Sequence, residues 1–127
     1  MTSWIRFGFL AGVLAAVHAA PAAAQTKPAS PAPDAAAIAA GDSIFHKAGN
    51  CYACHGANAQ GLVGPNLTDS TWLHGDGSLD FIVATVTKGI TKEESKSGIV
   101  MPPKGGSTIT DDQVKQVAAY VYSLSHK

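Results

Sequence analysis

CYACHG, residues 51–56, contains both cysteines of this 127-residue chain, with His55 directly behind the second thiol. Two thiols and an imidazole at this spacing have three chemical uses: a redox disulfide, a zinc site, or the attachment of a covalent cofactor. The choice depends on the compartment, on the structure around the motif, and on the further ligands the chain offers.

The compartment is read at the N-terminus. MTSWIR carries the basic Arg6, FGFLAGVLAAVHAA is an apolar run, and PAAAQ supplies small residues in an A-x-A arrangement. That order reads as a secretory signal over residues 1–24, cut after Ala24, and places the protein in the periplasm or another exported location. A retained membrane anchor is the alternative. The apolar run from Phe7 to Ala20 falls short of the roughly 20 residues a spanning helix needs. Removing Arg6 with the leader leaves eight basic against nine acidic residues, a formal charge of 8 − 9 = −1. A nucleic-acid binder would show a basic face, so that class of partner is excluded.

QTKPASPAP, residues 25–33, is rich in proline and alanine and reads as a tether. A domain follows over residues 34–127. Asp34 is a candidate N-cap for AAAIAAGDSIFHKA, which Gly49 stops, with Ile38, Gly41, Phe45 and Ala48 on one face. Glycine inside a helix costs ~1 kcal/mol relative to alanine, so Gly41 implies close approach of another helix. Thr110-Asp111-Asp112-Gln113 fits a capping box for a last helix with Val114, Val117, Ala118, Val121 and Leu124 on one face and Tyr120 bordering it. Between them, Ser78 precedes LDFIVATVTK, with Gly89 as the stop. Residues 56–77 and 89–106 are turn-rich, and no strand pattern of adequate length is present. The fold class is therefore all-α, three to four short helices joined by long loops. So little helix in so small a domain gives a thin core, and loops this long must wrap something.

That requirement discriminates among the uses of CYACHG. A redox disulfide gives His55 no role, and no βαβ pattern surrounds the motif. Zinc would need two more ligands from His46, His55, His74 and His126, which lack finger-type spacing. Haem c attachment uses all three groups: Cys51 and Cys54 form thioethers to one covalent haem, and His55 coordinates its iron. The other axial position then has one methionine available, Met101 in SGIVMPPKGG, where Pro102 and Pro103 stiffen the backbone. Gap-filling by Met101, with His74 or His46 as the iron ligand instead, is the alternative.

These residues resemble a class I c-type cytochrome over Asp34 to Ser125, through Gly41 and Phe45, CYACHG, GPNL at Gly64–Leu67, MPP at Met101–Pro103 and the closing QVAAYVYSL. GPNLTDSTWLHG is similar to segments of the cytochrome subunits of cbb3-type oxidases. The resemblance implies that the first and last helices cross with Gly41 and Phe45 against Val117 and Tyr120. It also implies that the Pro65 carbonyl accepts a hydrogen bond from His55, and that Trp72 meets the haem through a propionate or by edge packing.

Iron held by His55 and Met101 is closed on both faces, so the expected function is electron transfer rather than catalysis: a periplasmic one-electron carrier at positive potential. Electrons would pass through the haem edge near Cys51 and Cys54. Expected partners are redox proteins, namely an oxidase, a cytochrome bc-type complex or a dehydrogenase, with membrane contact only through a partner or an uncleaved N-terminus. KGITKEESK, residues 88–96, reads as a solvated charged loop. Two alternatives stand beside the free carrier: a fixed relay domain of a membrane oxidase or dehydrogenase, and, if Met101 does not ligate, an open-site haem enzyme or gas sensor.

Overall fold

A computed structural model describes residues 30–127. The expected leader and the first part of the tether lie outside these residues. Helix α1, Ala35–His46, is built on alanines, the strongest helix formers, and Asp34 starts it by accepting the Ala37 N–H at 2.7 Å. It ends at His46, short of Gly49, whose N–H turns back to the Ile44 carbonyl at 2.8 Å. Helix α2, Tyr52–His55, is a single turn that carries the cysteine motif. Helix α3, Leu79–Lys88, is capped by Ser78, whose hydroxyl accepts from Phe81 N–H at 3.3 Å, and stops at Gly89 with φ 75°. Helix α4, Asp111–Ser125, opens on a complete capping box. Thr110 Oγ1 accepts from Gln113 N–H at 3.2 Å, and Gln113 Oε1 accepts from Thr110 N–H at 2.9 Å. The fold is all-α, and among the described residues the only paired extended backbone is an isolated antiparallel bridge between Ile90 and Met101.

Helices α1 and α4 cross in close contact at Gly41. A Cβ there would lie 2.0 Å from the Gln116 carbonyl oxygen and 2.8 Å from Tyr120 Cβ. The glycine thus meets the α4 backbone at Gln116, one residue before the expected Val117. Phe45, fully buried, sets its ring edge-on to Tyr120 with centroids 5.4 Å apart. The buried face of α1 is Gly41, Ile44 and Phe45. Ala48, expected on that face, is exposed, because the chain has left the helix two residues earlier. On α4, Val114, Val117, Ala118 and Val121 are buried as the periodicity indicates, and Ala119 joins them. Helix α3 adds Ile82 and Val86 to the same core.

Among the described residues the only large side chains below 2 % exposure are Phe45, Val114 and Val117. At about 1.5–3 kcal/mol for each buried large apolar side chain, a core of this size leaves the loops dependent on further burial. The helix crossing supplies a test in which two effects oppose each other. Helix propensity alone makes Gly41→Ala stabilising by ~1 kcal/mol. The Cβ clash with backbone makes it destabilising by about 1–3 kcal/mol, a fall in melting temperature of ~4–20 °C. The clash should win, and a calorimetric melt of the variant showing an unchanged or raised midpoint would refute the packing account.

Candidate functional site

The cysteine motif hangs from the end of α1. Cys51 N–H donates to the Phe45 carbonyl at 3.0 Å, after Asn50 has taken a left-handed turn at φ 49°. Residues 56–64 then fold back over α2: Gly61 N–H reaches the His55 carbonyl and Gly64 N–H the Cys54 carbonyl, each at 2.8 Å. This return brings the Pro65 carbonyl to His55, whose Nδ1–H donates to it at 2.9 Å. A Cβ on Gly64 would stand 2.9 Å from His55 Cε1, so glycine allows the backbone to close on the ring. Burial holds the His55 pKa below its ordinary value, outweighing the Pro65 hydrogen bond that raises it. At neutral pH the imidazole is therefore uncharged, with its proton on Nδ1 and the Nε2 lone pair without a protein partner among the described residues. An imidazole prepared in this way is a ready metal ligand.

Cys51 and Cys54 are free thiols, Cys51 half-buried and Cys54 exposed. Burial pushes the Cys51 thiol up to about 11. Met101 approaches from the other end of the sequence. Its N–H donates to the Ile90 carbonyl at 3.0 Å and its carbonyl accepts from Ile90 N–H at 2.8 Å. Gly89 makes this bridge possible: a Cβ there would lie 2.3 Å from the Met101 carbonyl oxygen. Beyond Pro102 and Pro103 the chain turns sharply through Lys104 and Gly105, at φ 54° and 64°.

Cys51, Cys54, His55, Pro65, Trp72 and Met101 all line one apolar cleft, whose back wall is Phe45, Ile82, Val86, Val117 and Val121. The empty space in and above the cleft, open solvent included, is about 1230 Å³. Trp72 packs against the core and lies across Gly77, where a Cβ would be 2.2 Å from the indole Nε1. A haem suits this lining: flat apolar walls, two thiols on adjacent turns of backbone, a neutral imidazole with a free lone pair, and a thioether. The competing uses fare worse. Among the described residues no three of His, Cys, Asp and Glu converge as a metal site, and the two thiols are not joined. Of the alternative iron ligands, His46 has both ring nitrogens against carbonyl oxygens, at 2.9 and 2.7 Å, and is not part of the lining. His74 does line the cleft, with Nε2 accepting weakly from Lys96 N–H at 3.5 Å.

Several residues that shape the site were not singled out in the sequence. Ile90, partner of Met101, lies in a single bridge too short to give a strand pattern. Asn50 at positive φ has a weak sequence signal, since asparagine is the residue after glycine that best tolerates that conformation. Phe81, in the first turn of α3, and the adjacent loop residues Ile99 and Val100 complete the cleft lining, and no local periodicity marks them.

The family described as cytochrome c oxidase, cbb3-type, subunit III, matches residues 36–121. The chain is 46 % identical over 95 residues to the cbb3-type cytochrome c oxidase subunit CcoP of Rubrivivax gelatinosus, covering 74 % of this chain and 28 % of that one. It is 43 % identical over 101 residues to subunit FixP of Rhizobium etli, covering 77 % and 34 %. The chain thus spans about a third of the length of these curated relatives. Among solved structures it is similar to cytochrome CL from the marine methylotrophic bacterium Methylophaga aminisulfidivorans. That likeness has a TM-score of 0.57 and 31 % identity, over 71 % of this chain and 56 % of the other. The cofactor of such domains is covalently bound haem c with its iron, which the cleft and the cysteine motif accommodate. The chain belongs to the cbb3-type cytochrome c oxidase subunit III family, and its described domain is a class I c-type cytochrome.

Proposed function

We propose that this domain is an electron relay serving a cbb3-type oxidase, in which Cys51 and Cys54 would hold a haem c covalently and His55 and Met101 would bind its iron. The observation that carries the reading is the joint placement of a neutral, Pro65-anchored His55 and a bridge-held Met101 in one apolar cleft. Haem c supplies reversible one-electron exchange when bound. The protein's residues set its terms. His55 donates a lone pair whose direction and basicity are fixed by Pro65. Met101 would supply a soft thioether, which favours ferrous iron and would raise the potential, while the apolar walls keep water away. With both residues bound to the iron, no position on it would be open to a substrate, which suits electron transfer rather than catalysis. Trp72 contributes a wall of the cleft.

The sequence put free shuttling first and a fixed relay second; the relatives favour the reverse order, since they are named as oxidase subunits. The surface also favours a resident partner. Residues 56–68 contain no Asp, Glu, Lys or Arg, nor do residues 97–103. Within the first of them Leu62 and Val63, which are not part of the cleft lining, are 72 and 57 % exposed. A diffusing shuttle gains on-rate from charge steering, which these segments do not provide. The single-site alternative is a free periplasmic carrier, which the expected leader over residues 1–24 would produce; either way we place the domain outside the cytoplasm. The charged loop is solvated, with Lys88 paired to Glu94 at 2.6 Å.

Met101→Ala should keep the haem attached, lower the potential by on the order of 0.2 V and make the reduced protein reactive to carbon monoxide. His74→Ala is the control: a potential unchanged in the first variant and lowered in the second would transfer the ligand role to His74. Gly89→Ala, which drives a Cβ into the Met101 carbonyl, should reproduce part of the Met101→Ala spectrum without altering the ligand set. Fractionation of native cells decides the relay question. Haem-stained protein recovered with the oxidase in membranes at both low and high salt is expected, and quantitative release into the periplasmic fraction would establish the free carrier.

A further inference from the structure

His46 lies at the last position of α1, outside the cleft, and makes an arrangement that a neutral imidazole cannot satisfy. Its Nδ1 is 2.9 Å from the Asp42 carbonyl and 3.0 Å from Asp42 Oδ1, and its Nε2 is 2.7 Å from the Ala57 carbonyl. All three partners are acceptors. A neutral ring carries one N–H and would press its other lone pair against an oxygen; only the imidazolium donates at both ends. Ala57 is the second residue after His55 and begins the segment that folds back to deliver Gly61, Gly64 and Pro65 to the motif.

We propose that His46 is a positioning residue which, as an imidazolium, fastens the Ala57–Pro65 segment to the end of α1, and that loss of one ring proton loosens that segment. The groups facing the ring are Asp42 from its own helix, Tyr52 from α2 with ring centroids 6.3 Å away, and Tyr120 from α4 at 6.2 Å; Lys47 follows it in the chain. Of these, Asp42 is the one anion and favours the charged ring. Tyr120 stays neutral, its pKa raised by burial and then by Asp42. The Ala57 and Asp42 carbonyls hold the His46 pKa above 6.5. The sign follows from linkage: with the folded pKa raised, the stabilisation is complete below about pH 6.5 and is lost as pH rises through the folded value. The consequence for the cofactor rests on the reading of His55 as its ligand, because Pro65 is the hydrogen-bond partner that orients that ring. The fastening itself does not.

The test uses reduced holoprotein and two measurements by NMR. The His46 ring should titrate with a midpoint above 6.5. Amide protection at Gly61 and Gly64, corrected for the intrinsic rise of exchange with pH, should fall about tenfold across that midpoint, the scale of one charge-assisted hydrogen bond. In His46→Gln the pH step in protection should vanish. A ring midpoint at or below 6.5 in the unmodified protein overturns the proposal without recourse to any variant. Protection that is flat across the midpoint, or a step retained in His46→Gln, overturns it equally. These outcomes are separable from failure of the axial-ligand reading, which Met101→Ala and the potential decide.

Discussion

The contact between the backbone of α1 at Gly41 and the Gln116 carbonyl is the constraint from which the rest of the domain follows. It brings the two terminal helices closer than side chains would allow. Because α1 is fixed there, its last turn places Phe45 in the core and points the Phe45 carbonyl at Cys51 N–H, so the motif is positioned by a helix it does not belong to. Because α4 is fixed there, Val117 and Val121 become the back wall of the cleft. One glycine therefore couples the placement of the thiols to the placement of the apolar surface that faces them.

The core is completed by something other than polypeptide. Phe45, Ile82, Val86, Val117 and Val121 belong to the buried cluster and line the cleft as well. Burying their remaining apolar surface against a large flat ligand stabilises the fold and the site together, at roughly 25 cal/mol for each Å² removed from water. The same argument accounts for the loops. Residues 56–77 and 89–106 would be poorly supported in an ordinary helical domain, but each has a side facing the cleft. Where the polypeptide must hold a loop unaided it does so with single local devices: the Pro65 carbonyl on His55, and the Ile90–Met101 bridge.

What the sequence revealed depended on the range of the physics involved. Caps and faces are local, and Asp34, Ser78 and Thr110 each start the helix their residue type suggests, while Val114, Val117, Ala118 and Val121 turn inward at helical spacing. The cysteine motif is chemical rather than conformational, so CYACHG and the lone Met101 could be identified without a fold. The end of α1 could not. Gly49 reads as a stop, yet the chain leaves the helix at His46, because Gly49 N–H and Cys51 N–H are bound to the Ile44 and Phe45 carbonyls, in wider turns than the helical i→i−4 bond. Tyr120 meets Gly41 and Phe45 as the resemblance implied, but the closest backbone contact of Gly41 is Gln116 instead of Val117, since a crossing position is set by both helices and one residue of shift leaves the sequence pattern unchanged. Phe81, Ile99 and Val100 were invisible for the same reason: they meet only because two remote segments close on one cleft.

A relay and a shuttle ask different things of a surface, and the residues around this cleft bear on which one the domain suits. A shuttle must find its partner, react and leave, a cycle helped by long-range attraction that water and salt can quickly weaken. Here the segments next to His55 and Met101 are uncharged, and the first carries exposed Leu62 and Val63 outside the cleft. Apolar contact is short-ranged: it contributes nothing to the approach and much to staying in place. A domain held near its partner by the rest of an assembly has no need of steering, and gains from a contact that excludes water along the path of the electron. Three of the lysines, Lys88, Lys104 and Lys115, lie instead beside Glu94, Asp111 and Asp112, where a local anion reduces the field each projects. The distribution of charge thus agrees with the oxidase-subunit relatives, and it does so through a property of the surface that is independent of the haem-binding motif.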